Sequence, residues 1–174
     1  MVRIVAGKYK GHKLSILSHD IVRPTSGIVR KSIFDSLGNL QGKKVLDLFG
    51  GIGSLSIEAL SRGAKSVSIV EENRNVIKLL IKNLNTICKD DTFTIHRMDV
   101  FSFLKKRKDT FDIIFADPPY SFKDYLSLRE SVIPLLNDDG SFCMETSKRT
   151  KTDGTEHRVR EFGNTKIIFW RNKS

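Results

Sequence analysis

Asp117-Pro118-Pro119-Tyr120 is a stretch of this 174-residue chain whose residue types can do chemistry at fixed spacing. Proline has no backbone N–H and pushes the residue before it out of the helical region, so the stretch forms a stiff, extended turn. The Asp117 carboxylate and the Pro118 carbonyl then make two hydrogen-bond acceptors on one rigid corner. Together they can take both hydrogens of an amino group. Pro119 holds the corner at low entropic cost, and Tyr120 adds a ring able to stack on a planar base, worth about 1–3 kcal/mol. The plain alternative is an ordinary Pro-Pro turn.

A second constellation is Asp47-Leu48-Phe49-Gly50-Gly51-Ile52-Gly53. Glycines at 51 and 53 let a backbone turn tightly and approach a ligand, but a lone G-x-G would serve a dinucleotide equally. Asp47 shifts the balance. A carboxylate just before the turn suits an ammonium or sulfonium group and not a pyrophosphate, and S-adenosylmethionine carries both of those cations. There is no Gly-Lys-Ser/Thr to cradle a triphosphate. Glu71, about 20 residues further on, is where an acid can accept from ribose hydroxyls. It could equally be a solvated acid opening a helix, as its neighbour Glu72 could. Asp99 can accept from an adenine amino group or N-cap a helix over 100–104. Phe49 lies inside the turn and is grouped with it as cofactor-binding.

These residues need elements to position them. Phe111–Ala116 reads as a buried strand that must end at Ala116 or Asp117, and acids at carboxyl ends of strands sit where open α/β sheets bind ligands. Lys44–Phe49, Ser66–Val70 and Thr92–Ile95 read as further strands, separated by helices over Leu55–Arg62 and from the Asn73 cap. A helix over Tyr125–Leu136, a strand at Ser141–Met144 and a closing pair at His157–Phe162 and Lys166–Arg171 follow. Strands alternating with helices imply right-handed βαβ crossovers and a mostly parallel, doubly wound α/β sheet, with an antiparallel edge. Lys148–Gly154 reads as a mobile loop. Ahead of the sheet, Arg3–Ala6 and His12–Ile16 flank a lysine-rich turn and predict an N-terminal β-hairpin. After Arg23-Pro-Thr-Ser26, capped at Thr25 or Ser26, a helix carries Ile28, Val29, Ile33, Phe34 and Leu37. The expected organisation is a basic hairpin extension over 1–22 and one compact domain over 23–174.

The net charge is +10, and residues 1–44 hold nine Lys/Arg against Asp20 and Asp35. A basic excess concentrated in one segment points to a polyanion such as nucleic acid. Lys8, Lys10, His12 and Lys13, interleaved with Tyr9, suit phosphate and base contacts; a solvated surface hairpin is the alternative. Cys88 and Cys143 match no metal-ligand spacing and read as packed thiols in a reducing compartment. With no apolar run long enough to span a bilayer and no apolar core near Met1, the expectation is a cytoplasmic protein with no membrane association.

Taken together, Arg3–Leu14, Arg23-Pro-Thr-Ser26 with Val29-Arg30, Asp47–Gly53, Glu58–Ala64, Val70-Glu71, Asp117–Tyr120 and Gly163-Asn-Thr165 resemble the RsmD-type 16S ribosomal RNA guanine-N2 methyltransferases, nearly end to end. The resemblance implies a Rossmann-like S-adenosylmethionine-dependent methyltransferase fold. It implies methyl transfer from S-adenosyl-L-methionine to guanine N2, of the guanine-966 type, by a monomer that needs no metal. Arg3, Lys8, Lys10, His12, Lys13, Arg23, Thr25 and Arg30 would hold ribosomal RNA of the small subunit or its assembly intermediate. Departures are Gly50-Gly51-Ile52-Gly53 where the family usually has Ala-Gly-Ser-Gly, Ser56 where a further glycine is usual, and Gly27 where an acid is usual. The Asp-Pro-Pro-Tyr corner would also fit a DNA adenine-N6 methyltransferase, although such enzymes usually add a target-recognition domain. A catalytically silent RNA-binding module on the same fold is the remaining alternative.

Overall fold

The computed structural model describes residues 2–16, 26–119 and 121–172. Arg23, Thr25 and Tyr120 therefore lie outside the described residues. The main sheet contains β3 (Lys44–Asp47), β4 (Ser66–Val70), β5 (Phe93–His96), β6 (Phe111–Ala116), β7 (Leu136–Ser147), β8 (Arg158–Phe162) and β9 (Thr165–Arg171), numbered after a hairpin of β1 (Val2–Arg3) and β2 (Lys13–Leu14). Its order is β5-β4-β3-β6-β7-β9-β8, parallel from β5 through β7, with β9 and β8 antiparallel at the edge. Chain order reverses between β3 and β6, which makes a switch-point crevice at their carboxyl ends.

Period-two alternation sends neighbouring side chains to opposite faces of the sheet. Ile113 and Phe115 of β6 join a core with α1 (Gly27–Leu37), α2 (Ser54–Ser61) and α3 (Arg74–Ile87). Ile114 and Ala116 join a second core with α4 (Val100–Leu104) and α5 (Tyr125–Val132). Cys88 and Cys143 are both buried free thiols. Local signals set most helix ends. Ser26 and Asn73 accept from amides in the first turns of α1 and α3, and Gly38 closes α1 with its amide on the Phe34 carbonyl.

Two expectations need revision. The helix expected to reach Leu136 ends at Val132 and passes into a 3-10 turn, Ile133–Leu135, because Pro134 cannot continue α-helical hydrogen bonding. The strand expected at Ser141–Met144 runs from Leu136 to Ser147. It absorbs a register shift between its pairing at Phe111 and at Ile113, with Asp139 at φ 61°. The 148–154 segment is a loop, as expected, and contacts its neighbours at three points. Lys148 N–H donates to the Asn164 carbonyl at 2.9 Å, Lys166 Nζ to the Thr150 carbonyl at 2.8 Å, and Arg129 pairs with Asp153.

Every residue of α2 is buried, although its sequence Ser-Leu-Ser-Ile-Glu-Ala-Leu-Ser is half polar. The hairpin covers its outer side. The Glu58 carboxylate, with no exposure, accepts Val5 N–H at 2.7 Å, Ala6 N–H at 2.9 Å and Arg62 Nε at 2.9 Å. Ser61 Oγ donates to the Ala6 carbonyl and accepts Tyr9 N–H. Gly7, at φ +81°, passes so close that a Cβ there would fall 1.9 Å from the Ser61 carbonyl oxygen. Only glycine fits that approach.

Candidate active site

The carboxyl ends of β3 and β6 open into a cavity of about 1200 Å³. The glycine turn after β3 forms part of its wall. Gly53 sits at φ 88° in the left-handed region and starts α2, and a Cβ there would meet Leu80 Cδ1 at 2.8 Å. The Glu71 carboxylate ties this turn to the end of β4. It accepts Gly51 N–H at 2.9 Å through one oxygen and Asn73 N–H at 2.8 Å through the other. Asp99 caps α4, its Oδ1 accepting Ser102 N–H at 2.8 Å, and also lines the cavity. The capping reading is thus realised without removing Asp99 from the ligand space.

Asp47 is buried at the end of β3. Its Oδ2 accepts from Ser56 Oγ at 2.5 Å, while Oδ1 is buried with no hydrogen-bond partner among the described residues. Burial raises its pKa to about 7; the Ser56 hydroxyl opposes that rise, and the nearby Asp117 and Glu71 carboxylates add to it. Ser56 thus places a hydroxyl on the carboxylate at a position where the resemblance leads one to expect glycine. Ile52 is buried in the core, and its carbonyl accepts from Asn83 Nδ2 at 2.9 Å. Asn83 also holds both backbone groups of Ser15, joining the hairpin's exit to the turn.

Asp117 follows the last residue of β6 and lines the same cavity, together with Pro118 and Pro119. The β6 ladder ends at Ala116, leaving the Pro118 carbonyl beyond it. Phe122 N–H closes the corner onto the Pro119 carbonyl at 2.8 Å. An aromatic cluster then surrounds the opening: Phe122 lies between Phe49, Phe101 and Tyr125, with ring centroids 5.6, 6.2 and 5.3 Å away. The sequence reading missed Phe101, Phe122 and Tyr125. The available signal was two aromatics just after Asp99 and Tyr120, at strand ends already assigned to ligand.

The hairpin cations divide. Lys10, His12 and Lys13 are exposed. Lys8 is paired with Asp91 at 2.5 Å, and Tyr9 Oη donates to the same carboxylate at 2.6 Å. Arg3 donates to the Gly11 carbonyl within its own hairpin. Arg30 corrects the expectation of a phosphate contact. It is 2% exposed, and its guanidinium donates to the Arg3 carbonyl at 2.5 Å. Burial lowers its pKa and Glu58 opposes that effect. In this conformation Arg30 anchors the hairpin and presents no charge to a polyanion.

The family model described as conserved hypothetical protein 95 matches residues 2–171. The chain belongs to that family. It is 38% identical over 139 residues to ribosomal RNA small subunit methyltransferase D of Haemophilus influenzae, covering 78% of this chain and 70% of the relative. The solved structure of yhhF from Escherichia coli aligns with a TM-score of 0.87 at 28% identity, over 99% of this chain and 98% of that one. An RNA methyltransferase from Salinibacter ruber, solved in complex with S-adenosyl-L-homocysteine, shares the fold with a TM-score of 0.69 at 15% identity, over 87% and 95% of the two chains. The fold is therefore that of the S-adenosylmethionine-dependent methyltransferases. Within this family member, no helix among the described residues is long and apolar enough to cross a membrane, and no cluster of His, Cys, Asp or Glu among them could hold a metal ion.

Proposed function

We propose that this family member transfers a methyl group from S-adenosyl-L-methionine to the exocyclic N2 of a guanine in small-subunit ribosomal RNA, of the guanine-966 type. The observation that carries this reading is a single cavity flanked by the glycine turn and Asp47 on one side and the Asp117-Pro118 corner on the other. The family relatives named as small-subunit ribosomal RNA methyltransferases support the substrate class.

The residues present fit the cofactor. The buried Oδ1 of Asp47, without a partner among the described residues, is an acceptor suited to a cationic ligand, and a cation nearby would draw its carboxyl toward the ionised form. Glu71 retains acceptor capacity for ribose hydroxyls, since each carboxylate oxygen can take more than one hydrogen bond. Phe49, Gly51, Gly53 and Asp99 complete that side. When bound, S-adenosylmethionine supplies the electrophilic methyl group.

The chain's own residues prepare the nucleophile. A base's exocyclic amine is weakly nucleophilic because its lone pair is delocalised into the ring. Asp117 accepts one amine hydrogen and the Pro118 carbonyl the other, which favours the pyramidal amine and leaves its lone pair facing the cofactor side. Asp117 is also placed to receive the proton the amine must lose. Positioning of this kind can supply several kcal/mol, up to roughly 7–11 in the best cases. Tyr120 would stack on the extruded base. The exposed Lys10, His12 and Lys13, with Arg3, Lys8, Arg23 and Thr25, would contact the RNA backbone.

The test is tritiated-methyl transfer into small-subunit RNA and into its assembly intermediates, followed by nucleoside analysis. N2-methylguanine is the expected product. N6-methyladenine, or no transfer to either substrate, overturns the reading.

A further inference from the structure

The glycine turn and the Asp117 corner account for only part of the cavity. Its other side is lined by Glu145, Thr146 and Ser147 at the end of β7 and by the turn from Phe162 to Thr165 that joins β8 to β9. No role so far uses these residues, although Gly163-Asn-Thr165 belongs to the sequence match.

Strand pairing fixes where Glu145 stands. β7 runs parallel to β6, with Phe115 opposite Cys143 and Ala116 opposite Met144. Asp117 and Glu145 each directly follow the last registered pair, Ala116 and Met144, so they stand at the carboxyl ends of adjacent strands. Residues directly opposite in a ladder face the same side of the sheet, and adjacent strands lie about 4.8 Å apart. Both carboxylates also bear on the Cys143 thiol, where they add to burial in raising its pKa. The cavity therefore holds two neighbouring acceptors on adjacent strands, a gap that one planar edge rich in donors can span.

Among the nucleobases, guanine presents such an edge: N1–H stands next to the two N2 hydrogens. Adenine presents an N1 lone pair beside its amine, which a carboxylate would repel. We propose that the Glu145 side of the cavity is the purine subsite, with the Glu145 carboxylate accepting guanine N1–H while the Asp117 corner holds N2. This assignment rests on the guanine-N2 reading above and makes Glu145 the residue that selects guanine. The β8–β9 turn closes the subsite opposite the cofactor side. A polar site built around a donor discriminates strongly against an analogue lacking it, because the analogue's N1 lone pair would face the carboxylate where a hydrogen bond is needed.

The experiment begins by locating the guanine that the wild-type protein methylates. The same RNA is then assembled by splinted ligation with 2-aminopurine at that position. This base keeps the N2 amine but carries an acceptor at N1. Wild-type protein is expected to prefer guanine by at least about 100-fold in kcat/KM. In Glu145→Gln, whose amide can donate to N1, the preference should narrow by at least about tenfold while S-adenosylhomocysteine affinity stays within about twofold. Equal wild-type turnover of the two bases overturns the assignment and needs no variant to fold. A Glu145→Gln preference within twofold of wild type overturns it as well. Failure to find any N2-methylguanine with wild-type protein is a separate result that removes the underlying reading along with this one.

Discussion

The two walls of the cavity are built by different means. On the side of β3, β4 and β5, Asp47 ends its strand with one oxygen on the Ser56 hydroxyl, while the acids after β4 and β5 are already committed to backbone: Glu71 holds the Gly51 and Asn73 amides, and Asp99 holds the Ser102 amide. On the side of β7, β8 and β9, the lining comes from consecutive strand residues, Glu145 to Ser147, paired with Ile167 to Thr165. A ligand on the first wall meets turns whose main chain Glu71 and Asp99 hold in shape, with Asp47 supplying the charge. On the second wall, side-chain identity can change while the ladder stays intact. The first arrangement suits a fixed cofactor and the second a substrate that must be selected.

If the walls act separately, substitutions should sort by wall. Asp117→Ala, at their junction, should have the largest effect: turnover falls by about 10²–10⁴-fold, while S-adenosylhomocysteine and RNA binding each stay within about threefold. Full residual methyl transfer would remove Asp117 from the chemistry. Asp47→Asn, on the first wall, should weaken S-adenosylmethionine binding by about 10–100-fold in calorimetry and leave RNA affinity unchanged. A matching loss of RNA affinity would show that the walls are not separate.

The Asp47 carboxyl also predicts a pH dependence. Its folded-state pKa is about 7, above the ordinary 3.8. Between about pH 4 and pH 7 the unfolded chain has released this proton while the folded chain keeps it. The group's contribution to stability therefore falls as pH rises through that window, by at most about 4 kcal/mol, and is level above it. Chemical denaturation of the cofactor-free protein should show this slope, and Asp47→Asn should flatten it. S-adenosylmethionine affinity should rise with pH through about 7, since the ionised carboxylate is the form that attracts a cation. Smallest of all, Lys10→Ala should weaken RNA binding by a few fold and reduce the slope of log affinity against log salt by about 1, with no change in cofactor affinity. A salt-independent RNA affinity in the wild type would undo the placement of RNA on the hairpin.

What could be read from the sequence was mostly local. The end of β6 at Ala116, the Asn73 cap, the span of α4 and the Asp99 cap all follow from residues within a few positions of one another. What escaped depends on partners far along the chain. Arg30 looked like a surface cation because its acceptor is a hairpin carbonyl 27 residues away. Ser56, Glu58 and Ser61 make α2 half polar in sequence, yet a buried carboxylate and the hairpin backbone lie against them. Glu145 carries no motif of its own, and only the pairing of β7 with β6 brings it to the strand end next to the Asp117 corner. The long, shifted β7 was underestimated for the same reason, since register between strands is set by the whole sheet.

The docking of the hairpin on α2 has a consequence for biosynthesis. Residues 3–9 find their partners at Arg30, Glu58, Ser61 and Asp91. During translation this strand emerges before the elements that hold it, and its last anchor is encoded more than 80 residues later. At roughly 5–20 residues per second it waits several seconds before it can settle. The strand is thus secured well after it is made, and a lysine-rich segment stays open to solvent and to nearby polyanions throughout that interval.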